Sequence, residues 1–432
     1  MTAVLGEAPE RPETALRTAL PVANFLSFFA IAAVEFAVPF VAVSTLGASS
    51  LVIAALGICR FAPQVLLART AALVVERYDQ RTVMLGSELL RVLAFLLSAL
   101  ALAAGPGWGP AVFGLANIAL ACGSVLTSVS TQVLVPAVFP DKALPGIYAR
   151  LGIAESAADG LAPFLTGVGL GLLGVSSTFG AAAVLALCAC ALLVRIPRIR
   201  VPAADQEDGA TGAGTDTGKG AGEQAAGSAG RTTLWRGLRL NLATPPLRIL
   251  TVWAVAYNLG QCVIEALLLI ALLDQTPLTA AGYGVLRSCV VLFAVLGASV
   301  TERLPAPLRT GLGTAVFGAG AVASYALLGL GVYLGGAPGL ALVLAGFVLD
   351  EFCSGVVLVR IQTFRARAIA QEDRAIATAA YRAANLTAVP VGFALGGVAG
   401  LVLSPVTTLV TAGALMLLPA ALVLSRPVRE AT

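Results

Sequence analysis

Seven carboxylic acids stand inside otherwise apolar stretches of this chain: Glu35, Glu88, Glu155, Asp159, Glu265, Asp350 and Glu351. Five arginines do the same, Arg60, Arg91, Arg150, Arg287 and Arg382. An ionisable group in apolar surroundings is costly to keep, so each is a candidate for function. A carboxyl there can exchange a proton, bind a cation or pair with a guanidinium. The chain has no histidine, which excludes His-based triads, His metal sites and His pH switches. Its seven cysteines, Cys59, Cys122, Cys188, Cys190, Cys262, Cys289 and Cys353, lie in apolar runs without zinc spacing and read as small buried helical residues. No Gly-rich loop follows a strand and precedes a phosphate-binding Lys, so no nucleotide site is expected and an ATP-driven pump is disfavoured. No metal, no cofactor and no enzymatic activity are predicted.

The elements that must hold these charges are set by composition. Of 432 residues, 58% are hydrophobic and 12% charged, and the mean hydropathy is +0.92. That charge content is about half the soluble norm, and a bilayer absorbs such apolar excess at about 20 residues per spanning helix. Apolar runs of spanning length occur at 19–43, 50–73, 82–104, 109–135, 147–172 and 176–194. They recur at 249–272, 279–300, 311–333, 338–360, 375–402 and 405–425. The fold class is therefore all-α integral membrane, with twelve transmembrane helices in two six-helix bundles.

The loops give an independent count. Ser44–Ser49, Gly105–Gly107, Gly174–Val175, Leu273–Pro277, Gly335–Pro338 and Leu403–Ser404 contain no Lys or Arg. The alternate loops carry Arg77, Arg81, Lys142, Arg303, Arg309, Arg365, Arg367, Arg374, Arg426 and Arg429. Cytoplasmic loops retain Lys and Arg, which places both termini inside. Residues 1–18 form a polar cytoplasmic tail, and the apolar run after them is too long for a cleaved signal-peptide core. The bundles are expected at 19–194 and 248–425, with a cytoplasmic tail at 426–432. Between them, 195–247 is a cytoplasmic linker rich in Gly, Ala, Ser, Thr and acids, which reads as disordered. At its end Trp235, Leu238 and Leu240 alternate with Arg236 and Arg239; this stretch is either a short amphipathic surface helix or an ordinary linker end.

The halves echo each other. Thr131-Gln132 followed by Tyr148-Ala-Arg150 and Pro163…Gly167 has a counterpart in Ile361-Gln362, Tyr381-Arg382 and Pro390-Val-Gly392, some 230 residues on. Six plus six with such an echo indicates a duplicated bundle with the substrate path between the halves.

With these features the chain resembles the major facilitator superfamily, and within it the bacterial drug- and siderophore-exporter branch, over 19–425. The resemblance is clearest from Pro63 to Arg91. Arg77 and Arg81 match the family's loop between helices two and three, whereas Ala72 and Asp79 stand at its glycines, Glu76 at its Asp and Gln80 at its first basic residue. Glu88 and Arg91 resemble an acid and an Arg that members carry on helix three, and Glu35 an acid on helix one. Pro163/Gly167 and Pro390/Gly392/Gly396/Gly397 resemble degenerate Gly-Pro antiporter motifs.

Each charged candidate has two readings. Glu35, Asp350, Glu351 and Asp159 are the candidates for proton coupling or the substrate cavity. Glu35 alternatively pairs with Arg60 or Arg287. Asp350 and Glu351, about 100° apart on one helix, alternatively hold an Arg. Glu155 and Asp159 share a helix face and alternatively pair with Arg150 or Arg382. Glu88 and Arg91, three apart, form with Glu76, Arg77 and Arg81 either a gate or static charge pairs. Glu265 and Arg287 read as glue between helices. Pro163, Gly167, Pro390, Gly392, Gly396 and Gly400 read as helix packing, since small residues spaced by four let backbones approach.

The resemblance implies alternating-access efflux of an amphipathic small molecule, a drug, antibiotic or natural product, in exchange for protons. The partners are a hydrophobic or amphipathic substrate, protons and the bilayer of a bacterial plasma membrane, with no nucleic acid, for a chain expected to be a monomer. A carrier of one metabolite, siderophore or lysolipid, and a transport-dead sensor or scaffold, are the alternatives.

Overall fold

A computed structural model describes residues 11–140, 142–194, 235–276, 278–309 and 311–430. The side chains of a few helical residues, Arg69, Glu76 and Arg309 among them, lie outside the described residues, as does most of the sequence read as linker. The described residues contain helices and no strand. Helices are the natural outcome in apolar surroundings, because they satisfy every backbone N–H and C=O within one segment.

The first half comprises α1 (Arg11–Ser44), α2 (Ser50–Leu66), α3 (Ala68–Arg77), α4 (Gln80–Ala103), α5 (Gly105–Val138), α6 (Leu144–Leu172) and α7 (Val175–Val194). After a short helix α8 at 235–241 come α9 (Pro245–Gln275), α10 (Ala280–Val300), α11 (Gly311–Leu334), α12 (Gly336–Ala368), α13 (Arg374–Val402), α14 (Pro405–Leu415), α15 (Leu417–Val423) and α16 (Arg426–Arg429). Ten of the helical segments are long and apolar enough to cross a membrane. Two further rods, α2, continued by α3 after Leu67, and α6, which carries Arg150, Glu155 and Asp159, stand at the places of the other two expected spans, consistent with twelve.

Several bounds differ from the apolar runs. The span read as 50–73 is two helices broken at Leu67. The last span, read as 405–425, breaks at Met416. Pro419 has no N–H to return to the Leu415 carbonyl, so the continuous ladder fails one turn before it. α12 runs through the basic residues Arg360, Arg365 and Arg367, well beyond the apolar stretch that announces it. The connection from α6 to α7 is the pair Leu173-Gly174, where Gly174 turns the chain at φ +80, a conformation that disfavours side chains.

The chain divides into two compact units. Unit 1 is Met1–Ala203 with Pro277–Val291, and unit 2 is Ala204–Thr276 with Leu292–Thr432. In unit 1, α4 packs on α5 and α7, and α1 on α6 and α7. In unit 2, α11 packs on α12 and α14, and α9 on α13 and α14. Counted as spans, the same pairs recur: third with fourth, third with sixth, first with fifth, first with sixth. Apolar side chains fill these seams. Leu20, Met84, Leu134, Phe139, Ile147 and Leu193 form one such core in unit 1.

Candidate charge centres of the two units

At the centre of unit 1, α4 presents Glu88 and Arg91, each about 1% exposed. Three residues apart, they fall on one helix face and form an ion pair. Ser27 of α1 donates to Glu88 Oε1 at 2.7 Å and also meets Arg91 Nη1. From α5, Thr127 Oγ1 accepts from Arg91 Nη2 at 2.9 Å, and Ser87 and Thr127 share a hydroxyl bond of 2.7 Å. One ion pair and its hydroxyls thus tie the first, third and fourth spans. Glu88 Oε2 and Arg91 Nε are buried without a protein hydrogen-bond partner among the described residues.

The corresponding centre of unit 2 is different. Asp350 lies midway along α12 and is 3% exposed. Tyr257 of α9 donates to its Oδ1 at 2.9 Å, and Tyr325 of α11 to its Oδ2 at 3.1 Å. The two rings are 5.8 Å apart, and Trp253 stacks on Tyr257 at 5.2 Å while its Nε1–H donates to the Gly318 carbonyl. Hydrogen bonds to an ionised carboxylate are the stronger kind, and each phenol is fixed by packing before it donates. Here too the first, third and fourth spans of the unit are joined. The offset of 230 residues between Gln132 and Gln362 also separates Ser27 from Tyr257. Glu351, the next residue, is half-buried.

Elsewhere in unit 1, Glu35 of α1 pairs with Arg60 of α2. Arg60 is buried, whereas the Glu35 side chain keeps 39% of its exposure. Nε and Nη1 of Arg60 are buried without a hydrogen-bond partner among the described residues. Glu155 accepts from Asn24 Nδ2 at 3.2 Å, a contact with α1 where the sequence suggested Arg150 or Arg382. Asp159, exposed on α6, lies within electrostatic reach of both Glu35 and Glu155. Three carboxyls from two spans therefore share one neighbourhood.

In the turn between α3 and α4, Asp79 occupies the N-cap of α4: its carboxylate accepts from the Thr82 amide and hydroxyl, both at 3.1 Å. That is a structural use for an acid standing where the family pattern has a glycine. Gln80, at a basic position of that pattern, is buried with its amide on the Val75 carbonyl at 2.8 Å. Arg77 is exposed and Arg81 half-buried, and the side chain of Glu76 lies outside the described residues.

Small residues bring backbones together at particular places. A Cβ on Gly167 would stand 2.5 Å from the Ala280 carbonyl oxygen and 3.1 Å from Gly284 Cα, so α6 and the first part of α10 cross through two glycines. One turn earlier on α6, beside Pro163, the Phe164 amide donates to Ser288 Oγ of α10 at 2.8 Å. On α13, a Cβ on Gly392 would stand 2.5 Å from the Leu259 carbonyl oxygen and one on Gly396 2.7 Å from that of Val263, both on α9. A Cβ on Gly171 would meet nothing within 4 Å, and Pro390 and Gly400 are half-buried.

Sequence reading, guided by charge, passed over Ser27, Thr127, Tyr257 and Tyr325. Tyrosines favour the membrane interface. Two at mid-span, Tyr325 in a helix without a charged residue, were the available signal. It also left α8 undecided. The structure gives a helix whose Asn241, fully buried, donates to the Gly237 and Ala377 carbonyls and accepts from Arg365 Nε at 3.2 Å. Arg365 lies over the Tyr381 ring at 3.8 Å, and Arg236 pairs with Asp373 at 2.8 Å.

A family model described as Major Facilitator Superfamily matches residues 21–326. No curated protein matches the chain. Among solved structures, a bacterial homologue of the iron transporter ferroportin in its inward-facing state is similar at 15% identity and TM-score 0.69, over 95% of this chain and 99% of that one. A POT family transporter in complex with a thioalcohol-conjugated peptide is similar at 13% identity and TM-score 0.68, over 94% and 95%. The nucleoside transporter NupG carrying a D323A mutation is similar at 13% identity and TM-score 0.65, over 95% and 98%. Likeness at these identities is likeness of fold.

Proposed function

The chain belongs to the major facilitator superfamily and is a multi-pass membrane transporter; on that premise we propose that it exports an amphipathic small molecule, a drug, antibiotic or natural product, in exchange for protons. The membrane is a bacterial plasma membrane, with both termini on the cytoplasmic side, where the basic loops lie. The observation that carries proton coupling is Asp350, a carboxyl buried at mid-span and held by two phenols. A phenol donates to a carboxylate and accepts from a carboxylic acid, so the same two partners serve both protonation states. Glu35, Asp159 and Glu351 are the secondary proton and substrate groups. Glu35 supports that role by its remaining exposure and by its pairing with Arg60, an ion pair that a proton or a cationic substrate group would loosen. Export rather than uptake rests on the resemblance of the Pro63–Arg91 region and of the Pro/Gly segments to exporters.

In this reading ligands shift the populations of inward- and outward-facing states. Arg77, Arg81 and Glu76 belong to the gating loop, and Glu88 with Arg91 keeps unit 1 rigid while it moves. The test uses purified protein in liposomes with an imposed pH gradient, following lipophilic dyes and candidate antibiotics. Uphill flux in the native protein, abolished by Asp350→Asn or Glu35→Gln with substrate binding retained, is the expected result. Downhill flux indifferent to both substitutions would replace this reading with that of a facilitator.

A further inference from the structure

Unit 2 carries an apolar groove of about 800 Å³, bounded by α8, α9, α13, α14 and α15. Its walls include Val252, Leu259, Leu395, Leu403, Leu415 and Leu418. Three hydroxyls line it, and each is already engaged by a backbone carbonyl. Thr251 donates to Asn241 at 3.3 Å, Thr408 to Ser404 at 3.0 Å and Thr411 to Thr407 at 2.9 Å. The groove therefore presents hydrocarbon along its length. Its lining on α9 extends from Thr251 to Val263. At 1.5 Å per residue that is about 18 Å, close to the roughly 15 Å of one leaflet's hydrocarbon layer.

The N-terminal end of α9, where the groove meets α8, is positively charged. Arg248 stands one turn before the lining residue Val252, and Arg239 one turn before Leu242; both are exposed. Trp235, 64% exposed, lies one turn before Leu238 on the same short helix. An indole and two guanidiniums at the mouth of a hydrocarbon groove match the interface between headgroups and acyl chains. An amphipathic transport substrate would find no polar partner along the groove itself.

We propose that this groove binds an anionic phospholipid, with one acyl chain against α9, α13 and α14 and the phosphate held by Arg239 and Arg248. Every group involved belongs to unit 2, and the inference stands apart from the proton-coupling reading.

The full chain, purified in mild detergent, would be mixed with equal amounts of palmitoyl-oleoyl phosphatidylglycerol and phosphatidylcholine. Lipid retained on the protein is then counted by native mass spectrometry. The wild type is expected to retain phosphatidylglycerol preferentially. Each surface arginine near an anionic headgroup contributes roughly fivefold in affinity, so Arg239→Ala with Arg248→Ala should lower phosphatidylglycerol retention by about 25-fold and phosphatidylcholine, whose phosphate is offset by choline, by much less, which removes the preference. Ala256→Phe with Ala399→Phe, which fills the groove, should reduce both lipids. Its unfolding midpoint and monodispersity are measured alongside, and the exposed arginine pair carries the test should the filled variant misfold. Equal retention of the two lipids by the wild type, or an arginine variant with undiminished preference, would overturn the proposal. Displacement of the lipid by a transported dye would assign the groove to substrate instead. Loss of a dimer in the filled variant would assign it to a second copy of the chain.

Discussion

The two units solve one architectural problem with different chemistry. Each joins its first, third and fourth spans through a polar centre at mid-depth. Unit 1 uses an ion pair, Glu88 with Arg91, dressed by the hydroxyls of Ser27 and Thr127. Unit 2 uses a carboxyl, Asp350, dressed by the phenols of Tyr257 and Tyr325. In unit 1 both formal charges are confined to a water-poor interior and each is the other's compensation. Removing the charge of either partner would leave the other buried and uncompensated. In unit 2 the two phenols are neutral donors with lone pairs of their own, and a phenol can accept from a carboxylic acid as well as donate to a carboxylate. The same arrangement of spans thus carries two compensating charges in one unit and a carboxyl with neutral donors in the other, and the proposed proton coupling assigns proton exchange to the second.

The largest effect should come from breaking the ion pair. Arg91→Leu leaves Glu88 buried and uncompensated, with an expected loss of about 3–5 kcal/mol of stability, read as a lowered unfolding midpoint in detergent. Replacing Glu88 by Leu as well should restore most of it. If the double variant stays as unstable as the single one, unit 1's centre is not the balanced pair described here. Removing one phenol comes next. Tyr325→Phe takes one donor from Asp350 and should cost about 1.5–3 kcal/mol, with a comparable change for Tyr257→Phe. By contrast Asp350→Asn keeps an acceptor oxygen for one phenol and offers an N–H to the oxygen of the other, which accepts by turning its O–H, and should unfold within about 1 kcal/mol of the wild type. Equal destabilisation by Asp350→Asn and Arg91→Leu would erase the contrast between the units.

The glycine crossing is tested by Gly167→Ala. Its methyl group would meet the Ala280 carbonyl at 2.5 Å and Gly284 Cα at 3.1 Å. Overpacking at such a contact costs about 1–3 kcal/mol, whereas Gly171→Ala, in open space, should be silent in the same assay. Smallest of all is Arg236→Ala at the exposed pair with Asp373, where about 0–1 kcal/mol is expected. A larger loss there would mean that α8 is anchored by that pair rather than by buried Asn241.

Hydropathy and loop charge made the spans legible, because spanning length and the retention of Lys and Arg on one side are whole-segment properties. Glu88 and Arg91 were legible as a pair because their spacing of three fixes a common helix face. The phenols of Asp350 were not. Tyr257 and Tyr325 lie 93 and 25 residues from it in sequence and meet it only through helix packing. Pairing of Glu35 with Arg60 stood among the alternatives because both sit in neighbouring spans, yet sequence offered nothing to choose between Arg60 and Arg287. The engagement of Glu155 by Asn24 went unseen because a neutral amide in an apolar run draws no notice beside an arginine. Breaks at Leu67 and Met416 fall inside runs whose hydropathy is continuous, so the spans registered and their interruptions did not.

The most direct measurement of the central claim is the proton count on substrate binding. Detergent-solubilised protein in weak buffer with a pH indicator is mixed with a transported dye, and the protons released per protein are recorded for wild type, Asp350→Asn and the paired Glu88→Leu/Arg91→Leu variant. The account predicts that the dye releases protons from the wild type and from the paired variant but not from Asp350→Asn, with dye affinity retained in all three. Undiminished release from Asp350→Asn, or release lost only in the paired variant, would place the proton site elsewhere and contradict the assignment of proton exchange to unit 2.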